Sequence, residues 1–345
     1  MSTDREKLRQ KAIEAALRKG HDSFVRKPTS EIAEAIRKGD RTTLSRAITL
    51  VESSRESDQK KAESIVNALL PQTGKSIRLG ITGVPGVGKS TFIESFGLHC
   101  ISHGHKVAVL AVDPSSSVSK GSILGDKTRM NELSRHEQAY VRPSAAGNNL
   151  GGVARKTREA MLLCEAAGYD YVIVETVGVG QSETTVRDMV DCFLLLMLSG
   201  AGDELQGIKR GVMEMADILV INKADGDNLL KAKRARAEYA RALHLFPPRK
   251  SGWIPESTHC SALQQEGVDD VFDLVEKFER HHKLNGFWEE NRTSQLMNWF
   301  EEALKSAVMD RFYAEEKYQI RLAEAKEKIM QQQLSPFAAV REIFR

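Results

Sequence analysis

A lysine, a serine and a threonine at the end of a glycine-rich turn are equipped to hold a chain of phosphates. Gly83-Val84-Pro85-Gly86-Val87-Gly88-Lys89-Ser90-Thr91 is such a stretch. It has the G-x-x-x-x-G-K-[ST] spacing, and it sits after the apolar run Ile77–Thr82 and before a helical pattern. Glycines let the backbone turn tightly enough for several N–H groups to face one anion. The following helix adds the positive end of its dipole. Lys89 can then reach the β/γ-phosphates, and Ser90 can offer its hydroxyl to Mg²⁺. A glycine turn that merely contains Lys-Ser would lack this strand-loop-helix setting.

Carboxylates at strand ends extend the site. Glu175-Thr176-Val177-Gly178 closes the apolar run Tyr171–Val174. There an acid can hold Mg²⁺ through a water, and the glycine N–H can sense a γ-phosphate. Asp113, before Pro114-Ser115-Ser116-Ser117, and Asp126, in Gly125-Asp126-Lys127-Thr128-Arg129, are further acids expected near the phosphates. Each fits a metal-shell or water-positioning group, and each fits a helix cap equally well. Lys89, Asp113, Asp126 and Glu175 are the catalytic candidates. Ser90, Asp113, Asp126 and Glu175 are the metal candidates.

Asn222-Lys223-Ala224-Asp225 follows the apolar strand Ile218–Ile221. A carboxylate at Asp225 can accept from the N1–H and exocyclic NH₂ of guanine, a donor pair that adenine lacks. Asn222 and Lys223 would brace the loop and pack the base. Alone, N-K-x-D is a weak signal; in this order after a phosphate loop it is a strong one. Ser261-Ala262-Leu263 fits a supporting guanine loop. The expected ligands are therefore GTP and GDP with Mg²⁺. A water-positioning Gln directly after the switch glycine is absent: Val179 stands there and Gln181 lies two residues on, which predicts slow intrinsic hydrolysis stimulated by a partner. Gly200–Lys209 is a long, charged, glycine-containing loop that reads as a further switch segment or as a plain surface loop.

These residues need a scaffold that brings several strand ends to one edge. Short apolar runs at Ile77–Thr82, Val107–Asp113, Tyr171–Thr176, Cys192–Leu198, Ile218–Asn222 and near His259–Ser261 alternate with helical patterns. Several are apolar on both faces, as parallel strands covered by helices must be. The fold class is α/β: a three-layer, mostly parallel sheet with ligand loops at the carboxyl ends of its strands. The expected divisions are a helical N-terminal extension (1–75), a nucleotide domain (76–265) and a helical C-terminal arm (266–345). The arm carries Trp299, Phe300, Leu304 and Val308 on one face, suited to cover the sheet or to pair with a second copy.

Composition narrows the class. At 41% apolar and 28% charged the chain is globular in character, and a net charge of +3 gives no case for nucleic acid. No apolar run is long enough to span a membrane. Cys100, Cys164, Cys192 and Cys260 are scattered without C-x-x-C spacing, as expected of reduced, buried thiols. The basic N-terminus contains Asp4, Glu6, Glu14 and Asp22, which disfavours a transit peptide, so a cytoplasmic protein is expected.

The runs Ala111–Ser116, Gly121–Met130, Glu175–Glu183 and Gly207–Lys209 together resemble the MeaB/ArgK/MMAA family of SIMIBI-class P-loop GTPases. The likeness covers the whole nucleotide domain and, more weakly, the helical arms. It implies a GTP-hydrolysing, homodimeric G-protein chaperone that gates cofactor loading of an adenosylcobalamin-dependent acyl-CoA mutase, chiefly methylmalonyl-CoA mutase, and protects or reactivates it. It also implies magnesium and switch roles for Ser90, Asp113, Asp126 and Glu175, and a third switch near Asp203–Lys209. Two other classes compete. A small-molecule or protein kinase with the same loop would more often use ATP, against the guanine loop. A nickel-insertion GTPase should carry His- or Cys-rich sites, for which His103-Gly104-His105 and His281-His282 are the candidates. No D-x-H-x-x-G motif for gripping cobalamin is present.

Overall fold

Strands that are apolar on both faces can be satisfied only between two layers of helices, and that is the arrangement found. The structure, a computed structural model, describes residues 20–112, 130–142, 150–176, 182–200, 210–247 and 249–344. The described chain forms two compact units, Met1–Glu289 and Glu290–Arg345.

The first unit opens with α1 (Thr29–Arg37), α2 (Arg41–Glu52) and α3 (Glu56–Leu69). Asp40 ends the turn after α1 and caps α2, its carboxylate accepting from the Thr43 N–H. Apolar residues at three- and four-residue spacing, Leu44, Ala47, Ile48 and Val51, make the buried face of α2. Then follow β1 (Ile77–Gly83), α4 (Lys89–Ser102), β2 (Val107–Val112), α5 (Asn131–Arg135), β3 (Ala139–Arg142), α6 (Leu150–Ala166), β4 (Tyr171–Thr176) and α7 (Ser182–Arg187). The unit continues with β5 (Cys192–Leu198), α8 (Arg210–Met215), β6 (Ile218–Asn222), α9 (Leu229–Leu243), β7 (Glu256–His259) and α10 (Val268–Leu284).

The seven strands are parallel in the order β3-β2-β4-β1-β5-β6-β7. The order reverses around β1, whose successors lie on both sides of it, and a ligand crevice is expected at such a point. β1 has Glu175 opposite Ile81 on one side and Leu196 opposite Gly83 on the other. The phosphate loop therefore leaves the sheet between the ends of β4 and β5.

Two strands differ from the expectation. β3, Ala-Tyr-Val-Arg, is a four-residue edge strand with only two fully buried positions and no clear apolar run. β7 is Glu-Ser-Thr-His, ending where the predicted strand near His259–Ser261 begins. Its backbone pairs with β6 from Ile218 opposite Glu256 to Ile221 opposite His259, whereas the apolar Cys260 and Ala262 lie in the loop beyond. An edge strand needs the ladder more than it needs apolar side chains. β2 ends at Val112, so Asp113 lies outside the described residues, as does Asp126.

The main core joins Leu79 and Ile81 of β1, Phe92 and Phe96 of α4, Ile173 of β4 and Leu194 of β5. Val271, Val275 and Phe278 bring α10 into that same core. On the other face of β5 and β6, Ala232, Tyr239 and Leu243 of α9 pack on Leu195, Met197 and Leu219. Helix α11 (Phe287–Ala314) runs on into the second unit, which also holds α12 (Glu316–Met330) and α13 (Pro336–Ile343). There Ala325, Ala339 and Ile343 pack with Phe312 and Leu322, and the Phe312 ring stacks on Phe344. Among the described residues no helix is long and apolar enough to cross a membrane.

Candidate functional site

Close approach of neighbouring strands decides which residues the phosphate loop can contain. A Cβ on Gly83 would stand 2.6 Å from the Leu196 carbonyl oxygen, so a side chain there would collide with the backbone of β5. Gly88, at φ +93°, caps α4 in the left-handed region, and a Cβ there would stand 2.9 Å from Asn222 Nδ2. Between them Val87 is fully buried and anchors the loop in the main core, with Val84 packed against the same cluster. Pro85 and Gly86 form the turn, and the Val87 N–H donates to the Val84 carbonyl at 3.2 Å.

Lys89 opens α4, and its Nζ donates to the Gly83 carbonyl at 2.9 Å. Burial pulls its ammonium below the usual lysine range, and the carboxylates of Glu175 and Glu183 pull it back. A cation placed among partly desolvated backbone and two acids is poised for an anion of higher charge. Ser90 Oγ lies 3.4 Å from Glu175 Oε1. Glu175 is itself buried at the end of β4, and the neighbouring Thr176 hydroxyl donates to Thr82 Oγ1 at 2.8 Å, tying β4 to β1. A hydroxyl and a carboxylate at this spacing are hard oxygen donors of the kind Mg²⁺ takes when phosphates and water complete its shell. Glu183, at the start of α7, is buried, and its charge acts on Lys89. Sequence reasoning placed it only inside a switch segment; its electrostatic tie to Lys89 comes from tertiary packing.

Two neighbouring side chains, Asn222 and Lys223, join the loop after β6 to the phosphate loop. Asn222, buried at the end of β6, donates from Nδ2 to the Val87 carbonyl at 2.8 Å. Its Oδ1 accepts from the Ala262 N–H at 3.1 Å and from Cys260 Sγ at 3.7 Å. Lys223 reaches back over the loop, Nζ donating to the Gly86 carbonyl at 2.8 Å, from a backbone at φ +61°. The Ser261 hydroxyl donates to the Asp225 carboxylate, and the Gln264 N–H donates to Ser261 Oγ at 3.2 Å. These loops and the start of α4 enclose a cavity of about 190 Å³ lined by Gly88, Thr91, Asn222, Lys223, Asp225, Ala262 and Leu263. Asp225 is only half-buried there, and a carboxylate has two oxygens with which to meet a planar donor edge.

The histidine pairs are otherwise engaged. His103 stacks on Phe272, with Nδ1 on the His99 carbonyl at 2.9 Å, and His105 meets Tyr171 edge-on. His282 stacks on Phe278 with Nδ1 on its carbonyl at 2.8 Å, and His281 Nε2 contacts the Ser251 carbonyl. Among the described residues no group of three or more His, Cys, Asp or Glu stands close enough to hold a metal ion by itself. Val179, Gln181 and the Asp203–Lys209 stretch lie outside the described residues, as do the switch glycine Gly178 and most of Gly200–Lys209.

Comparison with known proteins places this geometry in a lineage. The family described as "Methylmalonyl Co-A mutase-associated GTPase MeaB" matches residues 44–317. GTPase ArgK of Escherichia coli is 46% identical over 314 residues, covering 91% of this chain and 95% of that protein. The mitochondrial methylmalonic aciduria type A homolog of Mus musculus is 44% identical, covering 87% of this chain and 74% of that protein. A crystal structure described as an LAO/AO transport system kinase matches with a TM-score of 0.74 at 40% identity, over 91% of this chain and 96% of its own. A phosphate loop and a guanine-type loop, joined through one buried asparagine on an all-parallel sheet, accompany that match: the chain is a P-loop GTPase and belongs to the MeaB family.

Proposed function

We propose that this GTPase is a nucleotide-switched chaperone of an adenosylcobalamin-dependent acyl-CoA mutase, with methylmalonyl-CoA mutase as its client. It would gate cofactor loading and protect or reactivate the mutase. The observation that carries the reading is the match, over 44–317, to a family described as mutase-associated. The name of the mouse relative, a methylmalonic aciduria homolog, points the same way.

In this reading Asp225 and Ser261 select guanine, Asn222 and Lys223 hold the base and phosphate loops together, and Thr91, Ala262 and Leu263 flank the base. The Gly83–Gly88 backbone cradles the phosphates. Lys89 exchanges the Gly83 carbonyl for the β/γ-phosphate oxygens when triphosphate binds. Ser90 and Glu175 would hold Mg²⁺, joined by Asp113 or Asp126, and the bound ion would neutralise charge developing on the phosphates. Water attacks the γ-phosphorus, the bond to the β-bridging oxygen breaks, and GDP and phosphate leave. Slow turnover in the free protein, speeded by the client, fits Val179 in place of a water-positioning Gln. Loss of the γ-phosphate releases the Asp113–Arg129, Glu175–Glu183 and Gly200–Lys209 segments, and a mutase that prefers one arrangement must reciprocally shift nucleotide affinity.

A homodimer belongs to the same proposal. Phe300, Leu304 and Val308 of α11 are 62%, 51% and 57% exposed along one face, which a second copy would cover. With α10 committed to the core of the sheet, the pairing arm is the part beyond Glu290. The test is affinity capture of the intact protein with GDP and with a non-hydrolysable GTP analogue. Nucleotide-dependent recovery of a B12 mutase supports the reading; recovery of a hydrogenase or urease subunit replaces it with nickel delivery.

A further inference from the structure

Helix α9 concentrates positive charge on one exposed surface. Lys231, Lys233, Arg234, Arg236 and Arg241 are all exposed, and Glu238 is the one acid among its fifteen residues. This exceeds the +3 net charge of the whole chain, so the remainder is slightly acidic. On other helices some exposed cations are paired one turn away, as in Lys60–Glu56, Arg155–Glu159 and Lys283–Glu279, while others, such as Arg46, Arg280 and Lys326, have no ion pair among the described residues. None of the five cations on α9 has an ion pair among the described residues. Their field is felt locally, since Arg236 and Lys233 join burial in holding His259 below the usual imidazole range.

The face also has shape. Leu230, Arg234, Ala237 and Arg241 follow one another at helical spacing and are all exposed, so they form one stripe. Leu230 is 70% exposed, and Leu245, four residues beyond Arg241, is 85% exposed. Apolar side chains interleaved with cations suit a protein surface offering carboxylates around an apolar contact. Single-stranded nucleic acid would find no exposed aromatic on this helix to stack its bases on, since Tyr239 is buried. The start of α9 is tied to the base loop: Asn228 Nδ2 donates to the Lys223 carbonyl at 2.6 Å, and Ser199 Oγ donates to Asn228 Oδ1.

We infer that the exposed face of α9 is a docking surface for a carboxylate-rich protein partner, set against the guanine-reading loop. Identifying that partner with the acyl-CoA mutase rests on the function proposed above. The test measures association of the full-length protein with the purified mutase across ionic strength, in the GDP and GTP-analogue states. Arg234→Glu/Arg241→Glu is compared with wild type and with Lys38→Glu/Lys60→Glu, a reversal at two exposed cations that each have a local acidic partner. The α9 variant should associate about tenfold to a hundredfold more slowly at low salt, with a flatter salt dependence. The control variant should match wild type, and both variants should bind GDP and hydrolyse GTP alone as wild type does. Equal association rates and salt slopes for wild type and the α9 variant overturn the docking surface while leaving the client in place. Absence of wild-type binding in every nucleotide state removes the client as well. Loss of binding to an RNA duplex or to phosphatidylserine vesicles, with mutase binding unchanged, also overturns it.

Discussion

Replacing Asn222 tests whether the base and phosphate halves of the site are held as one. Its side chain is 1% exposed overall and bridges the Val87 carbonyl and the Ala262 N–H at 2.8 and 3.1 Å. Both partners lie on buried residues, so Asn222→Ala leaves an acceptor and a donor without their bonds. Each orphaned group costs about 1–3 kcal/mol, hence roughly 2–6 kcal/mol for the pair, a large share of a typical stability of about 5–15 kcal/mol. If about 1.4–2.8 kcal/mol of this appears as poorer organisation of the nucleotide site, GDP affinity falls about tenfold to a hundredfold. Asn222→Asp separates the halves. It keeps an acceptor for Ala262 but turns a carboxylate oxygen towards the Val87 carbonyl. Affinity for GDP should fall as far while preference for guanine over adenine survives; with Ala, both decline. Calorimetric titration with GDP and ADP, alongside urea unfolding, reads each term. An Asn222→Ala protein that bound GDP like wild type and unfolded at the same urea concentration would refute the bridge.

Further substitutions probe the frame and the base. Gly83→Ala should lower the unfolding free energy by about 1–3 kcal/mol and abolish nucleotide binding, because its Cβ meets the Leu196 carbonyl at 2.6 Å; Gly86→Ala meets no atom within 4 Å and should cost only the backbone strain of its φ of +76°, about 1 kcal/mol. Arg78→Met strands Glu165, which Arg78 meets at 2.6 Å with both side chains buried, and should cost about 3–5 kcal/mol by urea titration; Arg78→Met/Glu165→Leu should recover part of that loss. Asp225→Asn should cut GTP-over-ATP selectivity in competition binding by at least about tenfold with an unchanged melt, and intact selectivity would mean another group reads the base. Burial raises the thiol pKa values, that of Cys260 to about 12, and Cys100, Cys164, Cys192 and Cys260 are all free and buried. At pH 8 a thiol reagent should therefore find almost nothing to modify until denaturant is added.

What could be read before folding followed from how strongly each element is specified by its own residues. β4, β5 and β6 are buried along both faces, so their apolar runs mark their ends to the residue. β3 and β7 sit at the two edges of the sheet, where the ladder does the specifying, and Glu-Ser-Thr-His carries no apolar signal at all. The charge on α9 was hidden differently: a chain-wide net of +3 averages it against acids elsewhere, and only the folded helix shows that its cations find no local partners.

The site shows the same division. Residue types and spacing were enough to mark a candidate phosphate loop, a bracing asparagine and a candidate base-reading carboxylate, because each pattern is written in local chemistry. They could not say that a single amide serves both loops, or that Gly88 is glycine in part to leave room for that amide. Those facts depend on β6 lying beside β5 and β5 beside β1, a sheet order that no local pattern states. The folded chain also brings the charges of Glu175 and Glu183 to bear on Lys89, whose ammonium donates to the Gly83 carbonyl. Loops tied this way are held by one buried amide, so a change at Asn222 is felt at both the Val87 and the Ala262 ends.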